Sequence, residues 1–271
     1  MSVDLPKVPV LPTLVTLTSG ACGFTAIIYC CTGRLEHTSI AAWLILTALL
    51  LDGVDGRLAR MTKRASDFGT ELDSLCDLVA FGVAPAVLAL SVMGALELLA
   101  TPAPTTWARL LGRLYWLLGA IYVACATVRL ARFNVITSLD AEAHHHFTGL
   151  PSPAAAGLLA SLVIAYAGLS SPEAPGAGPL AQFVLPGALV LGSVLMVSRV
   201  RYAHLVYELS KSGRSLALVV ELLFGGAIIV LLQEFALAVL FVAYVLSGLV
   251  GVALDRVLEG LEPAGEGRSL R

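Results

Sequence analysis

Apolar residues form long runs in this chain, and each run is long enough to cross a lipid bilayer as a helix. A membrane helix needs about 20 mostly apolar residues to cross a hydrocarbon core of about 30 Å. Eight segments meet this requirement, at approximately 12–32, 38–60, 70–98, 113–134, 152–170, 181–199, 216–232 and 235–254. Helix breakers such as Gly33, Pro102 and Pro172 separate them. The pattern predicts an all-α polytopic membrane bundle of about eight transmembrane helices.

The composition supports a membrane protein and excludes a soluble one. Hydrophobic residues make up 58% of the chain and charged residues 13%, with a mean hydropathy of +0.87. The net charge of -2 gives no reason to expect nucleic acid as a partner. The five cysteines form no CxxC pair and are interpreted as small core residues. We expect one integral membrane domain over 1–258 and a short polar tail over 259–271.

The basic residues are distributed unevenly between the two sides of the predicted membrane. If the amino terminus is cytoplasmic, the alternating spans place 14 of the 17 Lys and Arg residues on the inner side of the membrane. The three on the outer side are Arg34, Arg109 and Arg113. The positive-inside rule produces this asymmetry. We therefore expect both termini on the cytoplasmic side of a prokaryotic cytoplasmic membrane, with the acidic run described next facing the cytoplasm.

The stretch from Asp52 to Asp77, DGVDGRLARMTKRASDFGTELDSLCD, lies where two apolar segments meet and carries, besides Asp67, four regularly spaced aspartates: Asp52, Asp55, Asp73 and Asp77. Each ionised carboxylate in a membrane helix costs about 2.5–3.5 kcal/mol, so four require a counter-charge. Asp52 and Asp55 share one helical face, and Asp73 and Asp77 share another. Four converging carboxylates suit one or two Mg²⁺ or Mn²⁺ ions. A solvated helix end paired with nearby lysines and arginines would explain one or two acids, but not four on two shared faces.

Small residues and one arginine lie between these acids. Gly56, Ala59 and Gly69 let helices approach closely and leave room for a flat ligand against the backbone. Arg60 adds a cation suited to holding a phosphate oxygen. The run therefore predicts a site for a metal-bound phosphate compound.

The spacing D-x2-D-G-x2-A-R-x8-G-x3-D-x3-D resembles the motif of the CDP-alcohol phosphatidyltransferase family and matches it at every specified position. The resemblance implies that the four aspartates hold a pair of divalent ions, Mg²⁺ or Mn²⁺, and that Asp77 is the general base. It also implies a homodimer. The residues that it implies for the cytidine-diphosphate site are Asp52, Gly56, Ala59, Arg60, Gly69 and Asp73.

A second polar group closes the fourth apolar segment, in the sequence VRLARFNV. Arg129, Arg132 and Asn134 are candidate contacts to a substrate carboxylate or to a lipid phosphate, because guanidinium groups offer forked donors to such anions. Their division between the two anions stays open. The alternative is that the arginines anchor the helix at the membrane edge.

Three further segments indicate the acceptor alcohol. The stretches FTGLPSPAAAG, LMVSRVRY and LPTLVTLTSGACGF are similar to the membrane-type phosphatidylserine synthases of that family. This similarity implies transfer from CDP-diacylglycerol, or CDP-archaeol, to L-serine. An inositol phosphate or glycerol phosphate acceptor is the alternative. Thr13, Ser19 and Gly20 depart from the family, which usually carries asparagine in this region.

Three other hypotheses are less well supported by the residues. His144, His145 and His146 are consecutive and cannot face one ion from a regular helix, so we interpret them as an exposed polar run. No H-x-K motif is present, which disfavours a covalent phosphatidyl-enzyme. A cation transporter would place its acids near the bilayer midplane, whereas these lie at predicted helix ends.

Overall fold

The computed structural model describes residues 10–62, 67–96, 105–139, 149–169, 178, 180–198, 200 and 234–261, and these residues form helices and short turns without a strand. The predicted all-α fold is confirmed for this part of the chain. The α-helices are α1 (Val10–Cys30), α2 (Leu35–Thr62), α3 (Asp67–Asp77), α4 (Ala84–Val92), α5 (Thr106–Leu139), α6 (Ser152–Leu169), α7 (Leu185–Val197) and α8 (Glu234–Leu261). Two π-helical turns, Leu78–Val83 and Leu180–Val184, precede α4 and α7.

Five stretches in the described ranges are long and apolar enough to cross a membrane: Thr13–Cys30, Glu36–Val54, Phe68–Val92, Thr106–Val135 and Ser152–Leu169. Two shorter apolar helices, Ala181–Val197 and Phe235–Gly251, match the sixth and eighth predicted spans. The predicted span at 216–232 lies outside the described residues. Many large apolar side chains on these helices are exposed, as lipid contact requires.

Two predicted boundaries differ from the structure. The third apolar helix ends at Val92 instead of near residue 98, because Gly94 adopts a positive φ of 69° that terminates the helix. The fourth helix is longer than its apolar core and runs from Thr106 to Leu139. Its first turn is capped by the Thr105 hydroxyl, which accepts a hydrogen bond from the Ala108 N–H at 3.2 Å.

The π-helical turn Leu78–Val83 has a local cause in the sequence. Pro85 has no N–H to donate to the carbonyl of Phe81, four residues earlier. The hydroxyl of the fully buried Tyr122 donates to that carbonyl instead, at 3.2 Å. The Ala84 N–H bonds to Val79, five residues back, as a π-helix requires. α3, this turn and α4 therefore form one continuous span.

α6 lies at the centre of the bundle and packs against α2, α4, α7 and α8. Small residues make close packing possible, since Ala155, Ala156 and Ala160 are almost completely buried. Gly157 of α6 faces the ring of Phe241 on α8, and a Cβ at this position would overlap that ring. The last described helix is thereby fixed against the bundle core.

Candidate active site

The acidic cluster is formed by α2 and α3. Asp52 comes from α2, and Asp73 and Asp77 lie one turn apart on α3. Each carboxylate offers an oxygen that lies within 4.8 Å of the oxygens of the other two, and all three side chains are partly buried. The predicted convergence of acids from two helices is therefore present in the structure for these three.

α1 holds both of the helices that carry the acids. The Ser19 hydroxyl donates to the Ala48 carbonyl of α2 at 3.2 Å. Toward α3, a Cβ on Gly20 would lie 2.9 Å from the Cys76 sulfur, and one on Gly23 would lie 2.6 Å from the Cα of Ala80. Cys76 and Ala80 lie on either side of Asp77 in the sequence. The two glycines therefore fix the position of α3 along α1, and with it the position of the Asp77 carboxylate.

Several predicted site residues lie where their side chains are not described. Asp55, Gly56, Ala59 and Arg60 are in the last turns of α2, and their side chains lie outside the described part. Gly69 is in the first turn of α3 and is partly buried. The roles expected of these five residues stay predictions. The run His144 to His146 also lies outside the described residues.

Arg129 is the basic residue that faces the acidic cluster. Its partly buried guanidinium interacts electrostatically with Asp77 and Asp52, and with the side chains of Tyr122 and Tyr244. Its Nη1 donates a hydrogen bond to the Ser152 hydroxyl at 2.5 Å. Within the described part of the chain, the site therefore brings the positive group of Arg129 to three negative groups.

Contacts along α5 place Arg129 independently at the level of Asp77. Toward the α4 end, Tyr122 bonds to Phe81, as described above. Toward the other end, the side chains of Asn134 and Ser74 are hydrogen bonded, with Asn134 Nδ2 2.9 Å from the Ser74 hydroxyl. Because α5 runs past α3 between these two contacts, Arg129 lies between them, beside the end of α3.

The structure separates the three residues that the sequence grouped as candidate anion contacts. Arg129 faces the acids, Asn134 contacts Ser74 on α3, and Arg132 is exposed on the outside of the bundle. Only Arg129 and Asn134 are directed toward α3.

The turn before α6 is held by the end of α7. The Gly149 N–H donates to the Val200 carbonyl at 2.8 Å, and the Leu150 N–H donates to the Leu195 carbonyl at 2.9 Å. Gly149 has a φ of 97°, and a Cβ there would lie 2.6 Å from the Met196 carbonyl, so glycine is required at this position. This turn fixes the start of α6, where Ser152 receives Arg129.

Sequence reasoning missed three polar residues of this region: Ser74, Ser152 and Tyr244. Ser74 and Ser152 lie inside quoted motifs, but a serine beside aspartates or prolines carries no specific signal. Tyr244 belongs to a segment that was recognised from hydropathy alone. Their pairing with Asn134 and Arg129 depends on helix packing.

The acidic cluster fits a divalent cation. Carboxylate oxygens are the ligands that Mg²⁺ and Mn²⁺ prefer, and Asp52, Asp73 and Asp77 offer three of them at one point. Among the described side chains, Arg129 brings a positive charge to the three acids. A metal ion bound there would add further positive charge.

Comparison with known proteins gives consistent results. The family model described as CDP-alcohol phosphatidyltransferase matches residues 9–252. A protein of Helicobacter pylori named CDP-diacylglycerol--serine O-phosphatidyltransferase is 35% identical over 193 residues, which cover 71% of each chain. An archaetidylserine synthase of Methanothermobacter thermautotrophicus is 33% identical over 196 residues, covering 71% of this chain and 69% of that protein. A Saccharomyces cerevisiae protein with the same name as the Helicobacter enzyme is 34% identical over 154 residues, covering 54% and 50%.

Proposed function

Because this chain belongs to the CDP-alcohol phosphatidyltransferase family, we propose that it transfers a phosphatidyl group from CDP-diacylglycerol to L-serine, giving phosphatidylserine and CMP. The family match makes the chain a membrane transferase of phospholipid biosynthesis. The observation that carries the serine proposal is the meeting of Asp52, Asp73 and Asp77 with the guanidinium of Arg129. This arrangement can hold a metal-bound phosphate compound and a small acceptor that carries its own anion.

Asp77 acts as the general base in this proposal. Its carboxylate accepts the proton of the serine hydroxyl, and the hydroxyl oxygen forms a bond to the phosphorus that carries the lipid. The bond from that phosphorus to the CMP oxygen breaks, and CMP leaves. Attack occurs in one step, so no covalent enzyme intermediate is needed. The proton then passes from Asp77 to water.

The metal site of this proposal comprises Asp52, Asp55, Asp73 and Asp77, which would hold one or two Mg²⁺ or Mn²⁺ ions. Bound there, the ions stabilise the negative charge that develops on the attacked phosphate and on departing CMP. A chelator should therefore abolish CMP release, and added Mn²⁺ or Mg²⁺ should restore it. Activity that persists without any divalent ion would contradict this metal requirement.

The cytidine-diphosphate pocket of this proposal lies beside the acids, on the last turns of α2 and the first turn of α3. Gly56, Ala59 and Gly69 leave space against the backbone, and Arg60 holds a phosphate oxygen. Asp52 and Asp73 border the same pocket. The test is cytidine-nucleotide binding by an Arg60→Ala variant, which should be weaker than in the wild type.

The three candidate anion contacts receive different roles in this proposal. Arg129 binds the serine carboxylate, because it faces Asp77. Arg132 is exposed and contacts a lipid phosphate at the membrane edge. Asn134 holds α5 against α3 through Ser74.

A reconstituted assay tests the acceptor and the donor. Purified protein with CDP-diacylglycerol and Mn²⁺ should incorporate labelled serine and release an equal amount of CMP, while glycerol phosphate and inositol phosphate should give no lipid product. Incorporation of either of these two in place of serine would overturn the serine assignment. A parallel reaction with CDP-archaeol tests the archaeal donor, which the similarity to an archaetidylserine synthase makes the second candidate.

The proposed topology has eight spans, both termini and the site on the cytoplasmic side of a prokaryotic membrane, and a homodimer. All five cysteines are described, and only Cys31, in the turn between α1 and α2, is exposed. In intact cells, a membrane-impermeant maleimide should therefore label the wild type but not Cys31→Ser. Labelling only after membrane rupture would reverse the orientation. Crosslinking in native membranes tests the dimer.

A further inference from the structure

Ser152 is a buried hydroxyl that no step of the proposed reaction uses. It is the first residue of α6, lies between Pro151 and Pro153, and has no exposed surface. Its hydroxyl accepts the Nη1 hydrogen of Arg129, 23 residues away in the chain, at 2.5 Å.

This hydrogen bond restricts where the Arg129 guanidinium can lie. An arginine side chain has four rotatable bonds and loses rotamer entropy when it is fixed. From α6, the Ser152 hydroxyl holds one edge of the planar Arg129 guanidinium. The backbone of α5, which is hydrogen bonded to α3 through Asn134, places the Arg129 side chain at the level of Asp77. Ser152 itself is rigidly held, because the preceding turn is hydrogen bonded to the end of α7.

We propose that Ser152 is a positioning residue that holds the Arg129 guanidinium beside the acidic cluster, in the orientation that receives the anionic group of the acceptor alcohol. This inference rests on the proposed function for the identity of the acceptor, but not for the coupling between Ser152 and Arg129. In this proposal α6 therefore contributes to recognition of the acceptor alcohol, together with α5. Ser152 acts through Arg129 and touches no reacting atom.

The test uses two substitutions with different volumes. Ser152→Ala removes the acceptor, and Ser152→Cys keeps nearly the same volume but offers only a weak acceptor. Both should raise the KM for serine about tenfold, because a hydrogen bond to a charged group is lost. We expect kcat and the KM for CDP-diacylglycerol to stay within twofold of the wild type.

Ser161→Ala is the matched control. Ser161 is fully buried on the same helix, but its hydroxyl bonds locally to the Leu158 carbonyl at 2.9 Å. Its replacement should leave the KM for serine unchanged. If Ser161→Ala and Ser152→Ala raise the KM equally, or if Ser152→Ala lowers kcat and thermal stability without a selective rise in the serine KM, Ser152 has only a structural role and the proposal is wrong.

A double-mutant cycle decides whether Ser152 acts through Arg129. In an Arg129→Ala background, adding Ser152→Ala should cause no further rise in the acceptor KM. If the double variant shows the product of the two separate increases in acceptor KM, the proposal is wrong. If the wild type uses another alcohol in place of serine, the proposed function fails, and the same cycle with that alcohol still decides the role of Ser152.

Discussion

The acidic side of the site comes from two helices that are adjacent in the chain, whereas the basic side requires three helices, of which α8 is distant in the chain from α5 and α6. Asp52, Asp73 and Asp77 lie within 26 residues on α2 and α3. Arg129 comes from α5, and its surroundings include Ser152 of α6 and Tyr244 of α8. In the proposed function, reaction chemistry therefore depends on one local helix pair, while acceptor recognition depends on the packing of α5, α6 and α8.

The largest expected effect concerns the acidic side. Asp77→Asn should lower kcat about a thousandfold, since it removes both the proposed base and a proposed metal ligand. The measurement is CMP release at saturating substrates. Glu71→Gln is the control, because Glu71 is an exposed acid on the same helix outside the cluster. Equal losses in the two variants would show that the helix charge, and not the cluster, matters.

The basic side should respond in KM more than in kcat. Arg129→Lys keeps the charge but loses the forked donors, and should raise the KM for serine about tenfold. Arg132→Lys makes the same change on an exposed residue and should stay within twofold of the wild type. Steady-state kinetics with varied serine measure both. An equal response would place Arg132 in the acceptor site as well.

The close contact between α1 and α3, which holds the acidic side in place, can be tested by adding a side chain at this contact. Gly23→Ala places a Cβ against the backbone of Ala80 and should lower the free energy of unfolding by about 1–3 kcal/mol, with a fall in kcat. Gly187→Ala is the control, since a Cβ there meets no atom of the described residues within 4 Å. Thermal midpoints in detergent compare the two, and a lower midpoint for both would refute the specific contact.

The smallest effect is expected at the contact between α5 and α3. Asn134→Ala should lower stability by about 1 kcal/mol through loss of the hydrogen bond to Ser74. Ser74→Ala should cost a similar amount, and the double variant should cost less than the two single variants together. Strict additivity in chemical unfolding would contradict a direct interaction.

The acidic side could be predicted from the sequence because its information is local. The intervals between Asp52 and Asp77 are fixed by helical periodicity, and the structure brings three of these acids together as expected. The basic side could be predicted only in part. Arg129 was named, but nothing in the sequence distinguished it from Arg132, because the side that a residue on an apolar helix faces is decided by packing.

The contributions of α6 and α8 were beyond sequence reasoning. Ser152 faces Arg129 only because the turn at Gly149 docks on α7, a contact between residues about 50 positions apart. The segment of Tyr244 was predicted as a span, but hydropathy carries no information about which residue faces the interior. The two helix boundaries that differed from prediction followed from a glycine at positive φ and from polar turns that extend α5 beyond its apolar core.

The π-helical turn after Asp77 also sets the rotational phase of the acids. A π-helix bonds each N–H five residues back, so it accommodates one more residue per turn than an α-helix. Each residue of an α-helix turns the chain by about 100°. Without the extra residue, α3 would be rotated by about that angle relative to α4, and Asp73 and Asp77 would face away from Asp52. Because of the wide turn at Leu78–Val83, the polar face of α3 and the apolar face of α4 are both directed toward the interior of the bundle, although the two helices belong to one continuous span.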